Sequence, residues 1–155
     1  MTGFLWRHTM NPLIKKLEEK EIEEVYRMGV QVPQFSVDDR ASHTFWQKDN
    51  LRMFAEQGFS VVIHDEEKIV GFLLAAYQPV TNKLTWENMY LLQEYRRRGL
   101  AQQCFQISWK LAQEAGARVA EGLVELNNIP SQNMLKRLGF ENAGKYHWML
   151  MFSSK

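Results

Sequence analysis

Arg96, Arg97, Arg98, Gly99, Leu100 and Ala101 form a short stretch whose residue types and order suit one chemical task, the holding of a polyanion. The first backbone N–H groups of a helix have no carbonyl partner inside it and carry partial positive charge, so a phosphate can satisfy them. Gly99 lets the backbone approach a ligand closely or take a positive φ, and the small Ala101 leaves that approach unobstructed. The three arginines add long-range attraction, although a short basic run taken alone also reads as a solvated loop.

Such a turn needs a strand to deliver the chain and a helix to receive it. Upstream, Leu84, Trp86, Asn88, Tyr90 and Leu92 alternate with Thr85, Glu87, Met89 and Leu91, the period of a strand. Downstream, Leu100, Cys104, Ile107, Ser108 and Leu111 recur at three- and four-residue spacing, and Gly116 lies where a helix C-cap is expected. The order is strand, basic glycine turn, helix.

Arg96-x-x-Gly99-x-Ala101 after a strand resembles the acetyl-CoA pyrophosphate signature of the GNAT acetyltransferase family. A second block, Glu125 to Ser131 followed by Leu138, Gly139 and Phe140, resembles that family's fifth strand, asparagine turn and next helix. The resemblance covers roughly residues 61–152, and the first sixty match only loosely. It implies an α/β fold: a mixed, mostly antiparallel sheet of about seven strands, splayed in the middle, with about four helices. The pantetheine arm of acetyl-CoA would lie in the gap between the splayed strands, and Arg96 to Ala101 would hold the diphosphate.

The remaining elements fit that order. A first strand is expected over 13–17, a helix over 21–30, a loop over 31–42 around Pro33, and a second helix through Phe45, Trp46, Leu51 and Phe54 to near Gly58. Strands over 59–64 and 69–77 are joined by the polar turn 65–68. A fifth strand spans 119–126, and a helix spans 130–138 with Asn128 or Ile129 as its cap, Pro130 in its first turn and Gly139 as its stop. Residues 140–152 complete the sheet. Residues 1–10 have no clean period and form a possible flexible extension to a single domain of 1–155.

The activity that the resemblance implies is transfer of an acetyl group from acetyl-CoA to a primary amine, in a ternary complex without an acetyl-enzyme. A lysine-type amine is neutral in only about one molecule in 10³ at pH 7, a handicap of roughly 4–5 kcal/mol, against about 1 kcal/mol for an α-amine. A base therefore matters most for side-chain amines. Glu87 is the candidate, near where family members often carry a glutamate; an exposed strand carboxylate or half of a salt bridge is its plain structural reading. By the same resemblance a bulge in this strand turns the backbone N–H groups of Leu91 or Leu92 toward the thioester carbonyl.

One position departs from the family. Where many members carry a tyrosine near the CoA sulfur, this chain has Leu135, so a water, the substrate ammonium, Tyr146 or Ser131 must protonate the thiolate, if anything does. That departure motivates an alternative, a weakly catalytic acyl-CoA-binding sensor or adaptor. Asn128 and Ser131 flank a helix start, which capping explains without any ligand; the resemblance also gives Asn128 a hydrogen bond to pantetheine.

Composition excludes other classes. The chain has 155 residues, 45% hydrophobic and 24% charged, which suits one globular domain. Nineteen basic and eighteen acidic residues give +1, with no global field for nucleic acid or an anionic membrane. The lone Cys104 sits on the apolar stripe of its helix and reads as a buried, reduced thiol. His8, His43, His64 and His147 have no metal-ligand spacing, so no metal is expected. The lack of a secretory or spanning pattern leads to an expected cytoplasmic location. The acceptor side would come from Val32 to Phe35 and from Phe45 and Trp46, with Asp38, Asp39 and Asp49 able to receive a cation. A monomer and a homodimer stay equally open.

Overall fold

Five segments rich in β-branched and aliphatic residues pair into one sheet in the order β1-β2-β3-β4-β5: β1 (Pro12–Lys16), β2 (Val61–Asp65), β3 (Lys68–Gln78), β4 (Lys83–Leu91) and β5 (Val119–Gly122). Neighbours are antiparallel except β4 and β5, which run parallel. Four α-helices are interspersed among the described residues: α1 (Ile22–Val30), α2 (Lys48–Gln57), α3 (Leu100–Glu114) and α4 (Ile129–Arg137). This computed structural model describes residues 11–32, 35 and 46–144. The chain forms two compact units, Met1–Leu123 and Val124–Lys155.

In the first unit, α1 and α2 cover one sheet face. Ile22, Val25, Leu51, Phe54 and Trp46 pack there against Val62, Ile69, Phe72 and Leu74. Burying each large side chain of this kind contributes about 1.5–3 kcal/mol. Gly29 is required by close approach, because a Cβ there would lie 1.7 Å from the Trp46 ring. Trp46 Nε1 donates to Tyr26 O at 3.1 Å, which fixes the indole. On the other face α3 buries Cys104, Phe105, Ser108 and Ala112. Trp86 of β4 packs edge-on against Phe105 at 4.4 Å and donates to Ser108 Oγ at 3.1 Å.

The element order agrees with the sequence reading as far as α4. The sheet has five strands among the described residues, against about seven expected, because most of 140–152 lies outside them. β5 stops at Gly122 rather than continuing to residue 126. The loop expected over 31–42 and the extension 1–10 lie largely outside the described residues. Gly58, Gly99 and Gly139 have left-handed backbones at φ 83°, 76° and 94°, and each adjoins a helix end.

Candidate active site

The basic turn is anchored before it opens. After β4 the chain makes a 3-10 turn at Gln93–Tyr95, and Tyr95 is buried with its hydroxyl donating to Asp65 Oδ2 at 2.5 Å. That bond, with burial, pushes the phenol up to about 12. Arg96 Nε donates to Leu91 O at 2.8 Å, and its guanidinium stands 5.9 Å from the Tyr90 ring centre. Arg96 therefore braces the turn with one nitrogen as well as adding charge. Arg97 is left-handed at φ 62°, a conformation that costs a non-glycine residue about 1 kcal/mol or more.

Gly99 follows, and α3 begins at the buried Leu100 with no side-chain cap. Gln103 N–H donates to Gly99 O at 3.1 Å as the first helical bond, so the N–H groups of Leu100, Ala101 and Gln102 precede the helical ladder. A Cβ at Gly99 would meet no nearer atom than Gln103 Nε2, at 4.0 Å. Arg97, Arg98 and Gly99 are exposed. The arrangement leaves main-chain donors without a side-chain cap and with room above them, a geometry able to accept an anion.

β4 carries a bulge. Asn88 stands opposite Leu74 and Trp86 opposite Ala75, so Glu87 is an extra residue with no partner on β3. The alternation read from sequence changes phase here: Leu84 and Trp86 are buried before the bulge and Leu91 after it. β5 pairs with β4 only from Lys83 opposite Val119 to Trp86 opposite Gly122, where β5 itself ends, so the pairing stops short of Glu87. Beyond that point the edge of β4 facing away from β3 has no β5 partner.

The bulge also decides which amides face that edge. Leu92 N–H donates to Val70 O at 2.9 Å and is committed to the sheet. In an antiparallel ladder the next residue points its N–H and C=O the other way. Leu91 does so, since its carbonyl accepts from Arg96 rather than from β3. Of the two amides named from sequence, Leu91 alone faces the open edge.

Glu87 keeps part of its surface in solvent, yet surrounding protein withdraws enough water to push its carboxyl pKa up, and the Glu121 charge adds to this. Among the described residues no cation or N–H is paired with it. Glu121 lies opposite Thr85, accepts from Thr85 Oγ1 at 3.4 Å and pairs with Lys83 Nζ at 2.9 Å.

In the second unit Asn128 caps α4, its side-chain oxygen accepting from Ser131 N–H at 3.3 Å, with Pro130 in the first turn. Capping thus accounts for that oxygen. Leu135 is half-buried on α4. Tyr146 lies outside the described residues, as do His8, His43, His147, Asp38 and Asp39.

Cys104 is fully buried, and burial pushes its thiol up to about 12, which leaves it inert as a nucleophile. Among the described residues no group of three His, Cys, Asp or Glu can hold a metal ion, and no helix is long and apolar enough to cross a membrane. Sequence reasoning missed Asp65, Tyr95 and Glu121. Tyr95 directly before the arginines was the one available signal; the other two act through pairings across strands that no local pattern reveals.

The acetyltransferase (GNAT) family profile matches residues 19–140. The fold is shared with PaiA N-acetyltransferase from Thermoplasma acidophilum, solved with coenzyme A, at TM-score 0.70 and 14% identity over 85% of this chain and 91% of that one. It is shared with the aminoglycoside N-acetyltransferase AAC(6')-Iy, solved with a bisubstrate analogue, at TM-score 0.68 and 17% identity over 94% and 99%. Diaminobutyrate acetyltransferase EctA from Paenibacillus lautus, solved with its substrate and coenzyme A, has TM-score 0.65 and 18% identity over 83% and 75%. No curated protein sequence matches the chain significantly.

Proposed function

The chain belongs to the acetyltransferase (GNAT) family, and from that we propose that it is a single-domain N-acetyltransferase moving an acetyl group from acetyl-CoA to a primary amine by direct attack in a ternary complex. The observation that carries the reading is the uncapped start of α3 behind a left-handed Gly99, braced by Tyr95 and Arg96. Arg96, Arg97, Arg98 and the N–H groups around Gly99, Leu100 and Ala101 bind the diphosphate of acetyl-CoA. The open edge of β4 takes the pantetheine arm and thioester; Asn128 and Ser131 are candidate contacts to coenzyme A by the family resemblance alone. Relatives of the same fold that take amine substrates support an amine acceptor.

Three requirements define the chemistry. The attacking amine must be neutral, and Glu87 accepts its proton, directly or through water; a carboxylate held above its ordinary pKa is a stronger base for this than a fully solvated one. Leu91 N–H donates to the carbonyl oxygen as negative charge develops on it. As the tetrahedral intermediate collapses, the C–S bond breaks and the thiolate takes a proton. Leu135 cannot supply it, so a water or the ammonium formed on attack does, with Ser131 and Tyr146 as the side-chain candidates. We place the reaction in the cytoplasm, with no metal.

Leu135 also supports a second reading, an acyl-CoA-binding sensor with little turnover. One experiment separates the two: titrate acetyl-CoA by calorimetry, then follow free-thiol release with a panel of α-amines, lysines and diamines. Saturable binding with amine-dependent thiol release is the expected result, and binding without release across the panel favours the sensor. In Glu87→Gln, binding is retained while kcat/KM falls about 10²-fold and loses its acid limb. A full rate from pH 6 to 9 removes Glu87 from the mechanism.

A further inference from the structure

The proposed diphosphate cradle is made of main-chain groups, so its geometry depends on whatever holds the chain on either side. On the helix side that is buried Leu100. On the strand side it is the Arg96 bond to Leu91 O together with a hydrogen bond between two buried side chains, Tyr95 at 6% exposure and Asp65 at 4%.

Asp65 is well placed for this. It ends β2, opposite Pro12 of β1 and Lys68 of β3, and its Oδ1 accepts from Asn11 N–H at 3.3 Å while Oδ2 takes the Tyr95 hydroxyl. One carboxylate therefore ties the end of β2 and the start of β1 to the residue before Arg96. Only Arg96 to Gly99 separate Tyr95 from Leu100, and two of those four are left-handed. A rotation of the Tyr95 ring would pass into the amides beyond it.

Burying an ionised carboxylate costs several kcal/mol unless its partners are good, and an apolar pair would fill the same space without that cost. What the apolar pair lacks is direction. A short charge-assisted O–H···O bond fixes where the phenol points and hence the path on which the chain leaves the core.

We propose that Asp65 and Tyr95 are positioning residues for the acetyl donor, their buried hydrogen bond aiming the N–H groups at Gly99, Leu100 and Ala101 onto its diphosphate. The proposal rests on the reading of this turn as the diphosphate site.

The test is calorimetric titration of wild type, Asp65→Asn and Tyr95→Phe with coenzyme A, and with pantetheine, which lacks the diphosphate, at a temperature where each protein is folded. Asn keeps a weaker acceptor for the hydroxyl, so the expected Kd for coenzyme A rises two- to threefold in Asp65→Asn and about tenfold in Tyr95→Phe, about 1.4 kcal/mol. Pantetheine affinity stays as in wild type, and in turnover KM for acetyl-CoA rises with kcat unchanged. Should Tyr95→Phe not fold, the same titration of Asp65→Asn decides. Equal Kd values across the series, or equal loss for pantetheine, overturn the proposal. If wild type itself fails to bind coenzyme A, the diphosphate reading fails instead.

Discussion

The corner where β1 meets the turn before α1 and the open edge of β4 each hold a glutamate, and the two carboxylates are driven in opposite directions. Glu21 is only 4% exposed, and burial by itself pushes its pKa up. Lys15 Nζ at 2.8 Å, Glu18 N–H at 2.8 Å and His64 Nε2 at 2.8 Å outweigh that, and the carboxyl ends below its usual range. Glu87 is more exposed, yet it ends above that range, because nothing among the described residues offsets its desolvation and Glu121 is a like charge. Partners, more than exposure, set the sign. The same contrast divides the helices, since Asn128 caps the Ser131 N–H of α4 whereas α3 has no side-chain cap. One set of groups is satisfied within the protein and holds structure; the other has no such partner among the described residues.

The largest expected effect comes from supplying the unsatisfied region with its own partner. Gly99→Glu places a carboxylate where a phosphate would sit and forces a side chain onto φ 76°. Binding of acetyl-CoA by calorimetry should weaken by at least about 100-fold, the loss of nearly 3 kcal/mol. Retained affinity would show that the main-chain donors ahead of α3 are not the grip.

Stability measurements should separate the two glutamates by sign. Glu21→Gln removes the charge that Lys15 and His64 meet and should cost about 2–3 kcal/mol in urea unfolding at pH 7. Since its folded pKa is depressed, the contribution is complete above the unfolded value of about 4.3 and lost as pH falls through the lower folded one. For Glu87 the folded pKa is raised, so its ionisation opposes folding as pH climbs from the unfolded value through the folded one. Glu87→Gln should then leave stability at pH 7 unchanged or slightly higher. A matching loss in both variants would erase the distinction.

The smallest effect is the finest test. Glu121→Gln removes the like charge, lowers the Glu87 pKa and moves the acid limb of kcat/KM to lower pH, with the plateau rate kept. A limb that stays in place would leave desolvation as the sole cause of the shift.

Much of this could be read along the chain. Gly99 announced the turn into α3, because a helix start needs only local residues to be recognised. Asn128, one of two cap candidates with Ile129, and Pro130 announced the start of α4 for the same reason. The phase of β4 was not legible: Leu84 through Leu92 read as one unbroken alternation, and the extra residue at Glu87 exists only relative to Leu74 and Ala75 on a neighbouring strand.

The sequence by itself determined the order of strands and helices and the glycine turn with its exposed amides, since backbone conformation and helix ends are matters of residues a few positions apart. Tertiary structure alone decided that β4–β5 pairing ends before Glu87, that Leu91 rather than Leu92 turns its N–H away from β3, and that Asp65 holds Tyr95. Those outcomes depend on register and on pairings such as the one joining residues 65 and 95, and contacts over that separation leave no trace in local spacing.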